Sequence, residues 1–546
     1  MIQDDLIDIL SPLGTATLSR FLGREKASVF DALGVPINTR TLSEALVLHK
    51  GAKIFKDKEL RLELLKTVDF ERISGAYGAK NLKSDDVGSI NTFRWNDNVN
   101  SRNFLDIFSL SHSWFFDRDK LEKSSSASVR VNLLAPLHGY QDWVRRKIVN
   151  FLRDGDLKRA IVHMPTGAGK TRVATETICD FLRYSPKEKN NVVWMAHSEE
   201  LCDQACSAFE SVWHRLGSAP ANVVKLWGGQ SGSIDENLSN FIVTSFQTAY
   251  RMIGASSNER FELFTKIKQT NALLIIDEAH QSIAPTYKEA IELISNANTK
   301  ILGLTATPGR SNQISGSDES YELAHFFENN KITIVGDNGE KLDNPIAYLR
   351  AKGVLSDYDV EYIEGSDSVS LSQNEMREVQ QLLDLPKSVL DRLGKDHART
   401  ARIAAASLEV AINKGKQTIV FAPTKDSAIE LALYLRFNNC AAAAITGDTP
   451  PQERARYIEQ YKEGRIKVLT NFGVLTAGFD APNTNAVVIA RPTLSVVLFS
   501  QMVGRGLRGP LMGGGEHCLI VDVKDNFPNM PSIDQAFRHF DNFFGG

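Results

Sequence analysis

Ile161-Val162-His163-Met164-Pro165-Thr166-Gly167-Ala168-Gly169-Lys170-Thr171 is a short apolar run that ends in a glycine-rich turn, a lysine and a hydroxyl. Glycines at 167 and 169 let the backbone aim its N–H groups inward at phosphate oxygens, and the helix that follows adds its positive N-terminal end. In such a cradle, Thr166, Gly167, Ala168 and Gly169 wrap the phosphates and Lys170 reaches the terminal ones. The Thr171 hydroxyl then becomes a ligand for Mg2+. Met164 stands where the strict G-x-x-x-x-G-K-[ST] pattern has its first glycine. An ordinary strand-to-helix turn is the plain alternative, so the choice passes to the residues downstream.

From Leu137 onward, apolar runs of four to six residues alternate with amphipathic helical stretches, the pattern of parallel sheets flanked by helices. Strands are expected at Ala160–His163, Asn191–Ala196, Val223–Leu226, Phe241–Thr244, Leu273–Asp277 and Lys300–Thr305. A second set follows at Thr418–Phe421, Ala442–Thr446, Val468–Thr470, Ala486–Ile489 and Cys518–Val521. Open α/β sheets bind ligands beyond the carboxyl ends of their strands, so the polar residues at those ends should converge on one edge. One such end is Asp277-Glu278-Ala279-His280, after the apolar run Leu273 to Ile276. Asp277 is placed to hold Mg2+ through water and Glu278 to orient or deprotonate an attacking water, with the ion offsetting both charges.

These segments resemble superfamily 2 helicases and translocases. Met164–Thr171, Asp277–His280 and Leu304-Thr-Ala-Thr-Pro308 look like motifs I, II and III of that superfamily, and Gln501-Met-Val-Gly504-Arg505-Gly-Leu-Arg508 matches motif VI. Thr470 to Pro482, which contains Gly478 and Asp480, and the Gly504–Arg508 segment look most like RadD-type bacterial DNA repair helicases and their XPB and restriction-translocase relatives. The resemblance implies two tandem RecA-like domains with ATP in the cleft between them. It puts Gly478 and Asp480 at the nucleotide, and Gln501, Arg505 and Arg508 among the catalytic groups with Lys170, Asp277 and Glu278. Two arginines three residues apart share one helix face and can present guanidinium groups to charge developing on a transferring phosphoryl group. Leu137-His-Gly-Tyr140-Gln141 resembles the L-x-x-Y-Q element ahead of motif I, so Gln141 is expected on the adenine edge, with Tyr140 stacking or only packing.

Ala196-His197-Ser198 matches motif Ia, and Thr244-Ser245-Phe246-Gln247 matches motif Ic. Pro423-Thr424 and Thr446 occupy equivalent strand ends in the second domain, and Thr470 opens motif V. Hydroxyls and backbone amides suit phosphate oxygens and carry no sequence information, so binding should be largely sequence-independent. The T-A-T of motif III, where spliceosomal DEAH enzymes carry S-A-T, tilts the expected substrate toward DNA over RNA. RadD-type proteins are expected to carry a C-terminal four-cysteine zinc element, and Met530 to Gly546 contains none.

With 546 residues and 42% hydrophobic content, several ordinary domains are expected. They are placed at 1–130 (a mainly helical accessory domain), 131–310 (RecA-like), 311–400 (an irregular connecting segment) and 401–546 (RecA-like). The 63 basic and 66 acidic side chains leave a net charge of -3, so any nucleic-acid site must be a local groove. Five scattered cysteines fit a reducing cytoplasm, and no apolar run is long enough for a membrane. In residues 1–130, helices are expected at Asp4–Leu10, Thr17–Leu22, Arg24–Leu33 and Lys56–Val68. The carboxylates Asp57, Glu59 and Glu63 read as a solvated helix face, the aromatic run Phe104–Phe116 as core, and Ser124–Ser128 as a linker. The expected activity is an ATP-dependent motor on nucleic acid. The rivals are an RNA-dependent ATPase and an ATPase switch governed by a protein partner bound through residues 1–130.

Overall fold

The computed structural model describes residues 2–527 except 24–25, 28, 31–33, 78–87, 89–90, 111, 117–135, 185–190, 252–258, 307–316, 367–368, 383, 476–480, 482 and 526. Two parallel sheets flanked by helices dominate it. The first contains β1 (Arg159–His163), β2 (Asn191–Ala196), β3 (Ala221–Leu226), β4 (Ser239–Ser245), β5 (Asn271–Asp277), β6 (Lys300–Thr305) and β7 (Lys331–Thr333). Its spatial order is β3-β4-β2-β5-β6-β1-β7. The central strands β2 and β6 are buried along their whole length, as expected of apolar strands covered by helices on both faces.

The second sheet contains β8 (Asp357–Glu364), β9 (Thr418–Phe421), β10 (Ala442–Ile445), β11 (Val468–Asn471), β12 (Ala486–Ile489) and β13 (His517–Lys524), in the order β10-β11-β9-β12-β13-β8. Together the sheets are the two tandem RecA-like domains. Residues 311–400 are not an irregular connector. They supply β7 to the first sheet and β8 to the second, where β8 pairs along its full length with β13. Both are edge strands. In β8 the charged Asp357, Asp359 and Glu361 alternate with the half-buried Tyr358 and Val360 because one side of the strand stays in water, so it lacks the apolar run that marks a central strand.

The N-terminal region is helical, with Ile2–Leu10, Gly14–Leu22, Thr39–Lys50, Lys58–Leu65, Phe70–Tyr77 and Val99–Ile107 as its main helices. The expected helix at Arg24–Leu33 falls largely on residues outside the described set, and the Ser124–Ser128 linker falls wholly outside it. Asp57 caps the helix Lys58–Leu65 through the amides of Glu59 (3.1 Å) and Leu60 (3.3 Å), which stops the expected Lys56–Val68 helix from starting earlier. Phe104 is fully buried, with its ring 5.1 Å from Phe55, and Phe115 stacks on Phe55 at 5.2 Å. These rings are core. One apolar cluster runs from Leu6, Leu10, Leu42 and Leu46 into Ala428, Ile429 and Leu433 of the second RecA-like domain. The two regions are further tied by Lys26–Asp426 (2.8 Å) and Arg436–Glu44 (2.8 Å).

Candidate functional site

The strand order places the motif residues side by side. β5, β6 and β1 are neighbours, so Asp277, Thr305 and His163 end three adjacent strands, with Thr305 registered against His163 and Leu304 against Asp277. The turn after His163 has Gly167 at φ 85° and Gly169 at φ 86°, conformations that glycine adopts without strain. A Cβ on Gly169 would lie 2.4 Å from the Gln141 side-chain nitrogen, so the turn is closed by that contact as well. The helix Lys170–Tyr184 starts directly afterwards.

Lys170 donates from Nζ to the Met164 carbonyl at 3.2 Å. Met164, which stands in for the first glycine, is fully buried and gives the site a backbone acceptor instead of a free turn. Burial pulls the Lys170 ammonium below its ordinary value, while the Glu278 and Asp277 carboxylates oppose that shift. Burial pushes the Asp277 carboxyl upward, and the neighbouring Glu278 pushes it further. Glu278 sits at φ 50°, a left-handed backbone that costs a non-glycine residue about 1–3 kcal/mol. That turn sets its side chain beside His280, whose Nδ1 is 3.4 Å from Glu278 Oε2 and 3.3 Å from the Thr305 hydroxyl. His280 therefore links the ends of β5 and β6.

The second domain completes the cleft. Arg505 is half-buried with its guanidinium in the field of the Glu278 carboxylate; desolvation draws it down to about 10 although the carboxylate opposes the shift. Burial also lowers Arg508. The two arginines do not share a helix face. The helix Val496–Val503, which carries the buried Gln501, ends at Gly504. Arg505 follows in a tight turn, and Arg508 lies on a bridge to Leu355. Close packing is the reason: a Cβ at Gly506 would lie 2.4 Å from Cys518 Sγ, so the chain runs flat against β13. Hypothetical Cβ atoms at Gly504 and Gly167 would meet Thr166 (2.6 Å) and the Arg508 side chain (3.7 Å), so the phosphate turn and the second domain touch.

Gln141 donates to the Ala168 carbonyl at 3.1 Å and accepts from the His138 amide at 3.0 Å. Tyr140, 3% exposed, donates its hydroxyl to the same Ala168 carbonyl at 2.9 Å; it packs and does not present a face for stacking. Gly478 and Asp480 lie outside the described residues. The donor set fits a hard divalent cation. Asp277 and the Thr171 hydroxyl are oxygen ligands of the type Mg2+ takes, and two buried carboxylates side by side are stabilised by positive charge between them.

The expected nucleic-acid residues divide. Ser198, Gln247 and Thr424 reach the surface, with Gln247 donating to the His197 carbonyl at 3.0 Å and Thr424 capping the helix Lys425–Phe437. His197 is half-buried, and burial lowers its imidazole. Thr244 and Thr470 are fully buried, their hydroxyls spent on the Leu226 carbonyl (3.0 Å) and the Ala428 carbonyl (2.6 Å). They stand behind the surface, because alternate residues at a strand end point away from it. Pro423 and Thr446 are buried too, and the Thr446 hydroxyl accepts from the Asp448 amide at 3.3 Å, shaping the loop instead of facing outward.

A family model described as "Type III restriction enzyme, res subunit" matches residues 135–310, and one described as "Helicase conserved C-terminal domain" matches residues 401–509. The chain belongs to superfamily 2 of the helicases and translocases. This superfamily 2 chain is 28% identical over 403 residues to the putative ATP-dependent helicase IRC3 of Saccharomyces cerevisiae, a match covering 71% of this chain and 51% of that protein. A putative mitochondrial ATP-dependent helicase, irc3 of Schizosaccharomyces pombe, is 27% identical over 401 residues, covering 71% and 57%. The DNA 3'-5' translocase XPB2 of Sulfurisphaera tokodaii is 23% identical over 452 residues, covering 76% and 89%. The chain thus spans about half the length of the two yeast relatives.

Three features of this superfamily 2 site escaped the sequence reading. Ser356, next to Leu355, donates its hydroxyl to the carbonyls of Arg508 and Gly515 (2.7 Å to the latter), fixing the arginine turn against the phosphate turn. His280 joins motifs II and III; it lay inside a quoted motif without a role. Arg454 of the second domain pairs with Glu200 of the helix Glu199–Leu216, which follows motif Ia. No local pattern announces a pair 254 residues apart. Among the described residues, no helix is long and apolar enough to cross a membrane.

Proposed function

We propose that this chain is an ATP hydrolase that couples turnover in the interdomain cleft to movement along nucleic acid, acting on DNA in a reducing, cytoplasmic compartment. The observation that carries the reading is the approach of the second domain to the phosphate turn, where a Cβ on Gly504 would lie 2.6 Å from Thr166 Cβ and the neighbouring Arg505 guanidinium lies in the field of Glu278. A nucleotide site assembled from two bodies gains or loses its transition-state charge stabilisation as the cleft closes or opens. The names of these three relatives support this reading: two are named as putative ATP-dependent helicases and one as a DNA translocase.

In this scheme Gly167, Ala168, Gly169 and Lys170 hold the phosphates. Glu278 orients the attacking water and takes its proton, with its carboxylate steadied by His280. Arg505 and Arg508 meet the charge that develops on the transferring phosphoryl group. Thr171 and Asp277 would hold Mg2+, which when bound supplies charge neutralisation at the phosphate oxygens. Ser198, Gln247, Thr424 and the loop beyond Thr446 contact the nucleic-acid backbone. The domain limits proposed from sequence are revised by moving the first RecA-like unit's end to include β7 and starting the second at β8.

The deciding experiment is steady-state ATPase with Mg2+, without nucleic acid and with single-stranded, duplex and forked DNA or RNA, at two salt concentrations. Stimulation by DNA that declines steeply with salt is expected, because phosphate contacts release counterions. Stimulation by RNA alone would replace the substrate, and no stimulation by any nucleic acid would give way to a partner-governed switch.

A further inference from the structure

None of the described residues of the N-terminal helical domain is among those of the nucleotide cleft, yet the domain is fixed to the second RecA-like domain by a shared apolar cluster and by ion pairs that include Lys26–Asp426 and Arg436–Glu44. Its most basic stretch is His49-Lys50-Gly51-Ala52-Lys53-Ile54-Phe55-Lys56-Asp57-Lys58. Residues Gly51–Lys56 form a tight helical turn in which Ile54 and Phe55 are fully buried and Lys53 and Lys56 are left in water. The buried pair anchors the turn. The docking then sets it beside the loop that follows β10, where a Cβ on Gly51 would lie 4.0 Å from Pro450 Cδ.

That loop is where two domains converge on one anion. Asp448 Oδ1 is 3.3 Å from Lys53 Nζ, and Asp448 Oδ2 is 2.8 Å from Lys425 Nζ. All three side chains are about half exposed, at 55%, 51% and 47% for Lys53, Asp448 and Lys425, so the arrangement is open to a ligand. Asp448 follows Thr446-Gly447 at the end of β10, and Lys425 begins the helix capped by Thr424. The Arg454–Glu200 pair joins the helix after this loop to the helix after Ser198, so the cluster continues the edge along which the strand ends lie.

We propose that the N-terminal domain forms one wall of the nucleic-acid groove, with Lys53 and Lys425 gripping a backbone phosphate in the place that the Asp448 carboxylate holds in this structure. The inference rests on the reading that nucleic acid runs along these strand ends. It assigns residues 1–130 a role in gripping the track, and it makes Asp448 an internal competitor for the two ammonium groups. A backbone phosphodiester carries the same single negative charge and, like the carboxylate, two charged acceptor oxygens, so exchange needs only rotation of exposed side chains.

The test uses the full chain and labelled single-stranded and duplex DNA, with affinity measured between about 50 and 200 mM salt. Lys53→Ala should weaken binding by roughly three- to tenfold for every sequence alike and reduce the slope of log K against log salt by about one. Asp448→Asn should act in the opposite direction and tighten binding. Lys66→Ala, whose ammonium pairs with Glu63, should leave the slope as it is. Melting curves confirm that each variant is folded. If the unaltered chain binds DNA while Lys53→Ala and Asp448→Asn match it in affinity and slope, the inference is overturned and the motor reading stands. If the unaltered chain neither binds nor is stimulated by nucleic acid, the motor reading itself falls.

Discussion

At Glu278 the backbone and the chemistry are bound together. Its left-handed φ of 50° turns a side chain that would otherwise continue β5 into the space shared by Lys170, Arg505 and His280. Glu278→Gln keeps the size of that side chain but removes the base. It should bind ATP normally and hydrolyse it on the order of 100-fold more slowly, read as single-turnover rate against nucleotide affinity. A loss of nucleotide affinity would make Glu278 structural. Lys170→Ala removes the only ammonium that the phosphate turn directs at its own cradle. Its turnover should fall by about 100-fold or more with the melting temperature preserved, whereas near-normal turnover would overturn the assignment of the cradle.

At the scale of elements, the N-terminal docking interface holds a carboxylate in an uncomfortable place. Glu430 lies within the helix Lys425–Phe437, is 6% exposed, and has an Oε2 with no hydrogen-bond partner. Burial pushes its carboxyl up to about 7, Asp426 adds to the rise and Lys26 opposes it. The folded chain therefore holds a proton here that the unfolded chain releases near its ordinary value of about 4.3. Stability from this group is greatest at low pH and is lost as pH rises from there to about 7. Glu430→Gln should raise stability at pH 8 by about 1–3 kcal/mol and change little at pH 4, measured by denaturant melts. A gain that is equal at both pH values would mean the effect is not ionisation.

How much of each element could be read in advance follows the same physics. Central strands such as β2 and β6 were legible because both faces are covered and the residues are apolar throughout. β8 was not, because water covers one side, and β7 has only three residues. Motif residues whose chemistry is local, Lys170 and Asp277 among them, were legible by type and spacing. The outward or inward direction of Thr244 and Thr470 depends on strand register, and the route of Arg505 depends on how Gly506 packs against Cys518; neither leaves a local mark. The N-terminal helices showed apolar stripes without showing what the stripes would cover.

For the whole molecule, the Glu200–Arg454 pair ties the two RecA-like bodies together along the edge proposed for nucleic acid, since one partner follows motif Ia and the other follows the Thr446 loop. Arg454 also lies 3.4 Å from the Thr446 carbonyl. Arg454→Ala should leave basal ATP turnover near its starting level and reduce the stimulation by nucleic acid roughly fivefold or more. Equal losses in basal and stimulated rates would place Arg454 in general stability instead.

The near-contact of Gly504 with Thr166 has a mechanical meaning. The two RecA-like bodies are jaws that meet at a residue with no side chain, and any closing stroke of the proposed motor is limited by how thin that meeting point is. A single methyl group there, Gly504→Ala, is a wedge: with 2.6 Å to the Thr166 Cβ, it must hold the jaws ajar or displace the phosphate turn. Nucleotide would still enter an opened mouth, but the bite that brings Arg505 to it would be shortened.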